Sequence, residues 1–111
     1  MIESFVKMKK DSLEKHVGCI AFASKILGDK WTPLIIKNLY SGKLRFSQLH
    51  QATTINPRTL SARLDFLEQT QIISRTMYAQ IPPRVEYELT AKGLDLIPIL
   101  KSMAEWGEKY K

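Results

Sequence analysis

The chain has 111 residues, enough for one compact domain and too few for two. Hydrophobic residues at 44% and charged residues at 25% exclude wholesale disorder, while 17 Lys and Arg against 11 Asp and Glu leave a net charge of +6 that suits a polyanionic partner, nucleic acid first. No apolar run approaches the roughly 20 residues needed to cross a bilayer, the N-terminus lacks the basic-then-apolar order of a secretory signal, and the one cysteine, Cys19, excludes a disulfide within the chain, so a cytoplasmic protein is expected.

Residues 1–18 mix Ile2, Phe5, Val6, Leu13 and Val17 with Lys7, Lys9, Lys10, Glu14 and Lys15, and read as a partly helical arm ahead of one domain over residues 19–111. Cys19 to Leu27 reads as a short apolar helix stopped near Gly28. Pro33 belongs in the first turn of a second helix, where a missing amide costs little, with Trp31, Leu34, Ile35 and Leu39 inward and Ser41-Gly42 at its end. Leu44-Arg45-Phe46 reads as a short extended piece, and Ser47 as the N-cap of a helix carrying Leu49 and Ala52. The next helix is better marked: Asn56 is its N-cap, Pro57 its first residue, and Leu60, Leu64 and Leu67 its apolar stripe. At about 100° per residue that stripe leaves Arg58, Ala62 and Asp65 on the far face and Thr59 and Ser61 on the flanks, free to meet a partner.

From Ile72 the period turns to two: Ile73, Arg75, Met77 and Ala79 alternate with their neighbours, and after Pro82-Pro83 a second strand turns Val85, Tyr87 and Leu89 inward. Thr90 reads as the N-cap of one terminal helix running to about Tyr110 and bent near Pro98. That helix carries two apolar stripes, one with Ile97, Leu100, Ala104 and Gly107, its neighbour with Leu96, Ile99, Met103, Trp106 and Tyr110. A domain core covers one stripe, so Ile99, Met103, Trp106 and Tyr110 are expected to meet a partner chain. The order of elements predicts an α+β, mostly helical, winged helix-turn-helix in which the helix from Asn56 is the recognition helix and Gln80 to Arg84 the tip of a two-stranded wing. Charge follows the same division, since residues 41–84 hold six Lys and Arg against two Asp and Glu, net +4, and residues 85–111 are net −1.

Six landmarks in order then carry a resemblance: Leu27-Gly28-Asp29-Lys30-Trp31-Thr32, Arg45-Phe46-Ser47-Gln48-Leu49, Asn56-Pro57-Arg58-Thr59-Leu60-Ser61-Ala62-Arg63-Leu64, Pro82-Pro83-Arg84-Val85-Glu86-Tyr87, Leu89-Thr90-Ala91-Lys92-Gly93 and Ala104-Glu105-Trp106-Gly107. From about Cys19 to Gly107 the chain resembles the HxlR-type bacterial transcription regulators, relatives of the MarR-type winged helix proteins. The resemblance implies a homodimer on a palindromic operator, with N- and C-terminal helices forming the dimer contact, and a cysteine at the position of Cys19 that in some members senses oxidants or electrophiles. Three departures stand out: Ile20 replaces a proline common after that cysteine, Phe66 stands at a usually polar position, and there is no second cysteine, which excludes any redox mechanism needing two per chain.

The DNA-contact residues expected on this reading are Arg45, Ser47, Asn56, Pro57, Arg58, Thr59, Ser61, Ala62, Arg63 and Arg84. Arg63, nearer the leucine stripe, has internal pairing as its alternative, and Arg84 is placed in the minor groove against the alternative of an exposed hairpin tip. Arg45, Arg58, Arg63 and Arg84 from two chains would neutralise on the order of eight phosphates. For Cys19 the plain alternative is a small apolar core side chain. Catalysis has no basis here: there is no phosphate-cradling glycine loop, no Gly-x-Ser-x-Gly and no paired carboxylates with a histidine, so neither an enzyme nor a cofactor is expected. His16 and Cys19 at i, i+3 offer only two metal ligands, short of a closed site. Two rival readings are a winged helix used only for protein interaction, which would place apolar or acidic residues where Arg58, Thr59, Ser61 and Ala62 stand, and an RNA binder, which would place stacking aromatics there. The inducer and the operator sequence are not encoded in any motif.

Overall fold

The computed structural model describes residues 13–111, so most of the expected N-terminal arm, residues 1–12, lies outside the described residues. Helix α1 spans Val17–Leu27, which puts the expected arm–domain boundary at residue 18 inside a continuous helix. Helix α2 spans Thr32–Tyr40, α3 Phe46–Thr53 and α4 Pro57–Gln69. Strands β1 (Ile73–Tyr78) and β2 (Arg84–Leu89) form an antiparallel hairpin with Ile73 opposite Leu89 and Tyr78 opposite Arg84. Helices α5 (Ala91–Leu94) and α6 (Ile97–Tyr110) complete the chain. The result is the expected mostly helical α+β winged helix-turn-helix.

The core is aliphatic. Ile35, Ile36 and Leu39 of α2, Leu49 of α3 and Leu60, Leu64 and Leu67 of α4 converge with Ile72, just before the hairpin, and with Ile73 and Tyr87 within it. Each fully buried leucine or isoleucine contributes roughly 1.5–3 kcal/mol relative to exposure. Helix α2 is the hub, packing on α1, α3, β2 and α6. Its buried positions are Thr32, Ile35, Ile36 and Leu39, at the i, i+3, i+4, i+7 spacing of one face. Leu34, expected inward, lies about 200° of helix rotation from Ile36 and is exposed; Trp31 is half-buried against the core.

Three further expectations are corrected. Arg45, not Ser47, is the N-cap of α3: its amide N–H donates to Gln48 Oε1 at 2.8 Å, and Ser47 sits in the first turn, exposed. The preceding Leu44 exchanges both backbone hydrogen bonds with Tyr87 (3.0 and 2.8 Å), so the extended segment forms a one-residue third rung of the wing and Phe46 already belongs to the helix. The terminal helix is two helices. Proline has no N–H to return to the carbonyl four residues back, and its ring crowds that carbonyl; α5 therefore ends at Leu94, and Pro98 occupies the first turn of α6 instead of bending a continuous helix. The step between them turns Leu96 against the core and away from the outer stripe.

Gly93 explains how close α5 comes to the sheet. A Cβ there would collide with the Ile72 carbonyl, and Thr90 completes the junction by accepting the Gly93 N–H at 3.1 Å while donating its hydroxyl proton to the Gln71 carbonyl at 2.6 Å.

Candidate nucleic-acid interface

The turn between α3 and α4 is three residues, Thr54 to Asn56, and each has a local reason. Thr54 takes a left-handed conformation (φ 56°), and its N–H donates to the His50 carbonyl at 2.8 Å to close α3. Ile55 is fully buried and plugs the turn into the core. Its carbonyl accepts from His50 Nδ1 at 2.8 Å; since a carbonyl can only accept, His50 carries its proton on Nδ1. Asn56 then caps α4, its Oδ1 accepting the Arg58 N–H at 2.9 Å, with Pro57 as first helical residue. Asn56 and Pro57 thus shape the start of the helix.

With Leu60, Leu64 and Leu67 buried, α4 turns Arg58, Ser61, Ala62 and Asp65 to solvent, and Thr59 is half-buried beside them. This face carries no aromatic ring, no acidic residue before Asp65 and one cation in its first turn. Arg45 and Ser47 at the start of α3 and Lys43 just before it are also exposed, as is Arg75 on β1. Arg75 was visible in the sequence as part of the basic middle segment but was not singled out; its alternation within β1 places it opposite Tyr87.

Arg63 is elsewhere. Its Nη2 donates to Asp29 Oδ2 at 2.7 Å and to Thr32 Oγ1 at 2.9 Å, its Nε donates to Thr32 Oγ1 at 3.2 Å, and its guanidinium lies 4.7 Å from the Phe66 ring centre. Asp29 also accepts the N–H of Trp31 and of Thr32 (both 2.8 Å) and the hydroxyl proton of fully buried Thr32 (2.7 Å). The cluster bolts α4 to the start of α2. Partial burial pushes the Asp29 pKa up, but the hydrogen bonds from the Thr32 hydroxyl, the Thr32 and Trp31 amides, and the Arg63 charge outweigh it and hold the carboxyl below its ordinary 3.8. Arg63 thus takes the internal pairing that stood as its alternative, with Phe66 as the plate under its guanidinium.

Arg84 is also held. Its guanidinium stacks 4.6 Å from the Tyr78 ring centre, Nε is 4.0 Å from Glu86 Oε1, and that nitrogen is buried with no hydrogen-bond partner. The side chain lies along the neck of the hairpin and not out at its tip.

The four residues expected to meet a partner chain, Ile99, Met103, Trp106 and Tyr110, are all exposed on one face of α6, with the Trp106 and Tyr110 ring centres 5.2 Å apart and tilted at 43°. Val17, Ile20 and Phe22 of α1 are exposed as well. An apolar groove of about 620 Å³ runs between α2 and α6, and Met103 lines its edge. Cys19 is exposed on α1. Among the described residues no cluster of three or more potential metal ligands occurs, and no helix is long and apolar enough to cross a membrane.

Comparison with known proteins agrees with this geometry. The profile of the HxlR-like helix-turn-helix family matches residues 26–111. An HTH-type transcriptional regulator of Methanothermobacter thermautotrophicus is 40% identical over 98 residues, covering 87% of this chain and 75% of its own. The HTH-type transcriptional regulator YdeP of Bacillus subtilis is 41% identical over 102 residues, covering 90% and 80%. Among solved structures, the redox regulator HypR in its oxidised form matches with a TM-score of 0.75 at 36% identity, covering 83% of this chain and 96% of its own.

Proposed function

Since the chain belongs to the HxlR-like helix-turn-helix family, and its relatives are HTH-type transcriptional regulators and not enzymes, we propose that it acts as a homodimer on an inverted-repeat operator in double-stranded DNA. The observation that carries this is the exposed face of α4: Arg58, Ser61 and Ala62 stand clear, with half-buried Thr59 beside them, on a helix whose other side is locked into the core by three leucines and whose azimuth is fixed by the Arg63–Asp29 bolt. A helix so placed enters a major groove with its N-terminal residues at base edges. Arg58 is the base reader, since its guanidinium can fork onto O6 and N7 of guanine, and Ala62 and the Thr59 methyl suit a thymine methyl. Arg45 and Ser47, at the start of α3, hold phosphates together with Lys43 and Arg75.

Arg63 and Arg84 are left out of the phosphate count because both are engaged within the chain. Lys43 and Arg75 take their place beside Arg45 while Arg58 reads bases, so two chains neutralise about six phosphates and the logarithm of affinity should fall with that of salt at a slope of about −5. The dimer forms through the outer face of α6 with the exposed side of α1. Selection of bound fragments from random duplex DNA tests the reading: an inverted repeat with half-sites about 34 Å apart supports it, and recovery of no preferred sequence refutes it.

A second reading concerns Cys19. Its exposure on α1, next to the proposed dimer contact, and the likeness to a redox regulator favour a switch in which Cys19 is oxidised or alkylated. With one thiol per chain, the routes are a disulfide between the two Cys19 of a dimer, which needs their Cα atoms within about 7 Å, or an adduct with a small thiol or electrophile. DNA binding is expected to change on treatment with diamide or a quinone in the wild type and not in Cys19→Ser; equal responses in both proteins would remove Cys19 from the mechanism.

A further inference from the structure

The distal wing has an unusual surface for an element expected to approach a polyanion. Residues 77–83, Met-Tyr-Ala-Gln-Ile-Pro-Pro, contain no charge. Ile81 is fully exposed, and Met77, Pro82 and Pro83 are exposed with it. The one cation at this end, Arg84, is drawn back onto Tyr78 at the neck. A tip of this kind gains little from phosphates.

Its backbone offers few free donors, the amides of Ala79 and Ile81. Pro82 and Pro83 have no N–H, and the Gln80 N–H already donates to the Tyr78 carbonyl at 2.9 Å. Pushing the tip into a tight space therefore strips few backbone donors of water. The two prolines also fix their φ angles, so little conformational freedom is lost on insertion. The last backbone anchor of the wing to the body is Leu44 on Tyr87. Arg84 lies three strand residues beyond it, about 10 Å at the usual rise, with the tip further out; a minor groove is about 7.5 Å deep.

We propose that Ile81, stiffened by Pro82-Pro83, is an apolar wedge that the wing drives into the minor groove beside each half-site, unstacking a base step and bending the operator. The proposal rests on the DNA-binding reading above. Arg84 and Tyr78 act as positioning residues that brace the neck. The wedge makes flexible pyrimidine–purine steps the favoured flanking sequence, because they unstack at least cost.

The test is the bend angle and affinity of the duplex recovered by selection, measured by end-to-end energy transfer and by titration across salt concentrations. The wild type is expected to bend the duplex by 20–90°, an order-of-magnitude range for wedge insertion. Ile81→Ala is expected to lose most of the bend and on the order of tenfold in affinity with an unchanged salt slope, since no charge is removed. Ile81→Lys is expected to steepen the slope by about one per tip while still losing the bend. Both variants alter an exposed residue, and an unchanged circular dichroism melt shows that they fold. A wild type that binds the duplex but leaves it straight, or an Ile81→Ala that bends and binds as the wild type does, overturns the wedge and leaves the apolar tip to a protein partner. A wild type that binds no duplex overturns the DNA-binding reading itself.

Discussion

Arg58 and Arg63 are five residues apart on one helix and sit in opposite environments. Arg58 stands in the first turn with its amide held by Asn56 and its side chain in solvent, whereas Arg63 is clamped by Asp29, Thr32 and Phe66. Arg58→Ala should leave the melting temperature unchanged, weaken operator binding by roughly 1–3 kcal/mol and relax preference at one position per half-site. Arg63→Ala should do the reverse first, lowering stability on the order of 1–2 kcal/mol by taking the counter-charge from Asp29 and the donated bonds from Thr32 Oγ1; a denaturant titration beside a binding titration separates the two. Asp29 adds a pH signature. Its pKa is depressed in the folded state, so its contribution is present above the unfolded value near 3.8 and is lost as pH falls below it through the folded value. The gap in urea midpoint between wild type and Asp29→Asn should be wide at neutral pH and close as pH drops below about 3.8. A gap independent of pH would place the effect of Asp29 in packing.

Elements with their own start signals and a single core were legible in the sequence. Helix α4 is the clearest case, because Asn56, Pro57 and three leucines at helical spacing specify its start, phase and buried side without reference to the rest of the chain. The hairpin was legible for a similar reason, an alternation of period two broken by two prolines. What sequence reasoning missed depends on neighbours. Leu34 lies outward because α2 is surrounded on the Thr32–Ile36 side by four other elements, and nothing local says which apolar flank they choose. Arg84 lies back because Tyr78 happens to face it across the ladder. The break between α5 and α6 is half visible in the sequence: Pro98 marks an interruption, but it predicts a bend where the lost hydrogen bond and the close docking of α5 on Ile72 make a full stop. The α5 junction gives a prediction at this scale. Gly93→Ala should destabilise by roughly 1–3 kcal/mol in a thermal melt, since its methyl meets backbone that cannot rotate away; a neutral substitution would mean that α5 lifts freely from the sheet.

For the molecule as a whole, the apolar surface is unevenly spread. The side of α4 that faces solvent is polar, while α6 exposes Ile99, Met103, Trp106 and Tyr110, and α1 exposes Val17, Ile20 and Phe22. The proposed DNA-facing and partner-facing sides rest on that division. Trp106→Glu should put a charge into the buried contact and weaken self-association by several kcal/mol, giving monomers at concentrations where the wild type sediments as a dimer. A wild type that is monomeric at micromolar concentration would remove the twofold axis and with it the inverted repeat. The most direct test of the account is hydroxyl-radical footprinting of the selected duplex. Two dimer-related α4 helices in successive major grooves predict two protected stretches per strand centred about 34 Å apart, lost together in Trp106→Glu. A single protected stretch, or two whose spacing survives dissociation of the dimer, would contradict it.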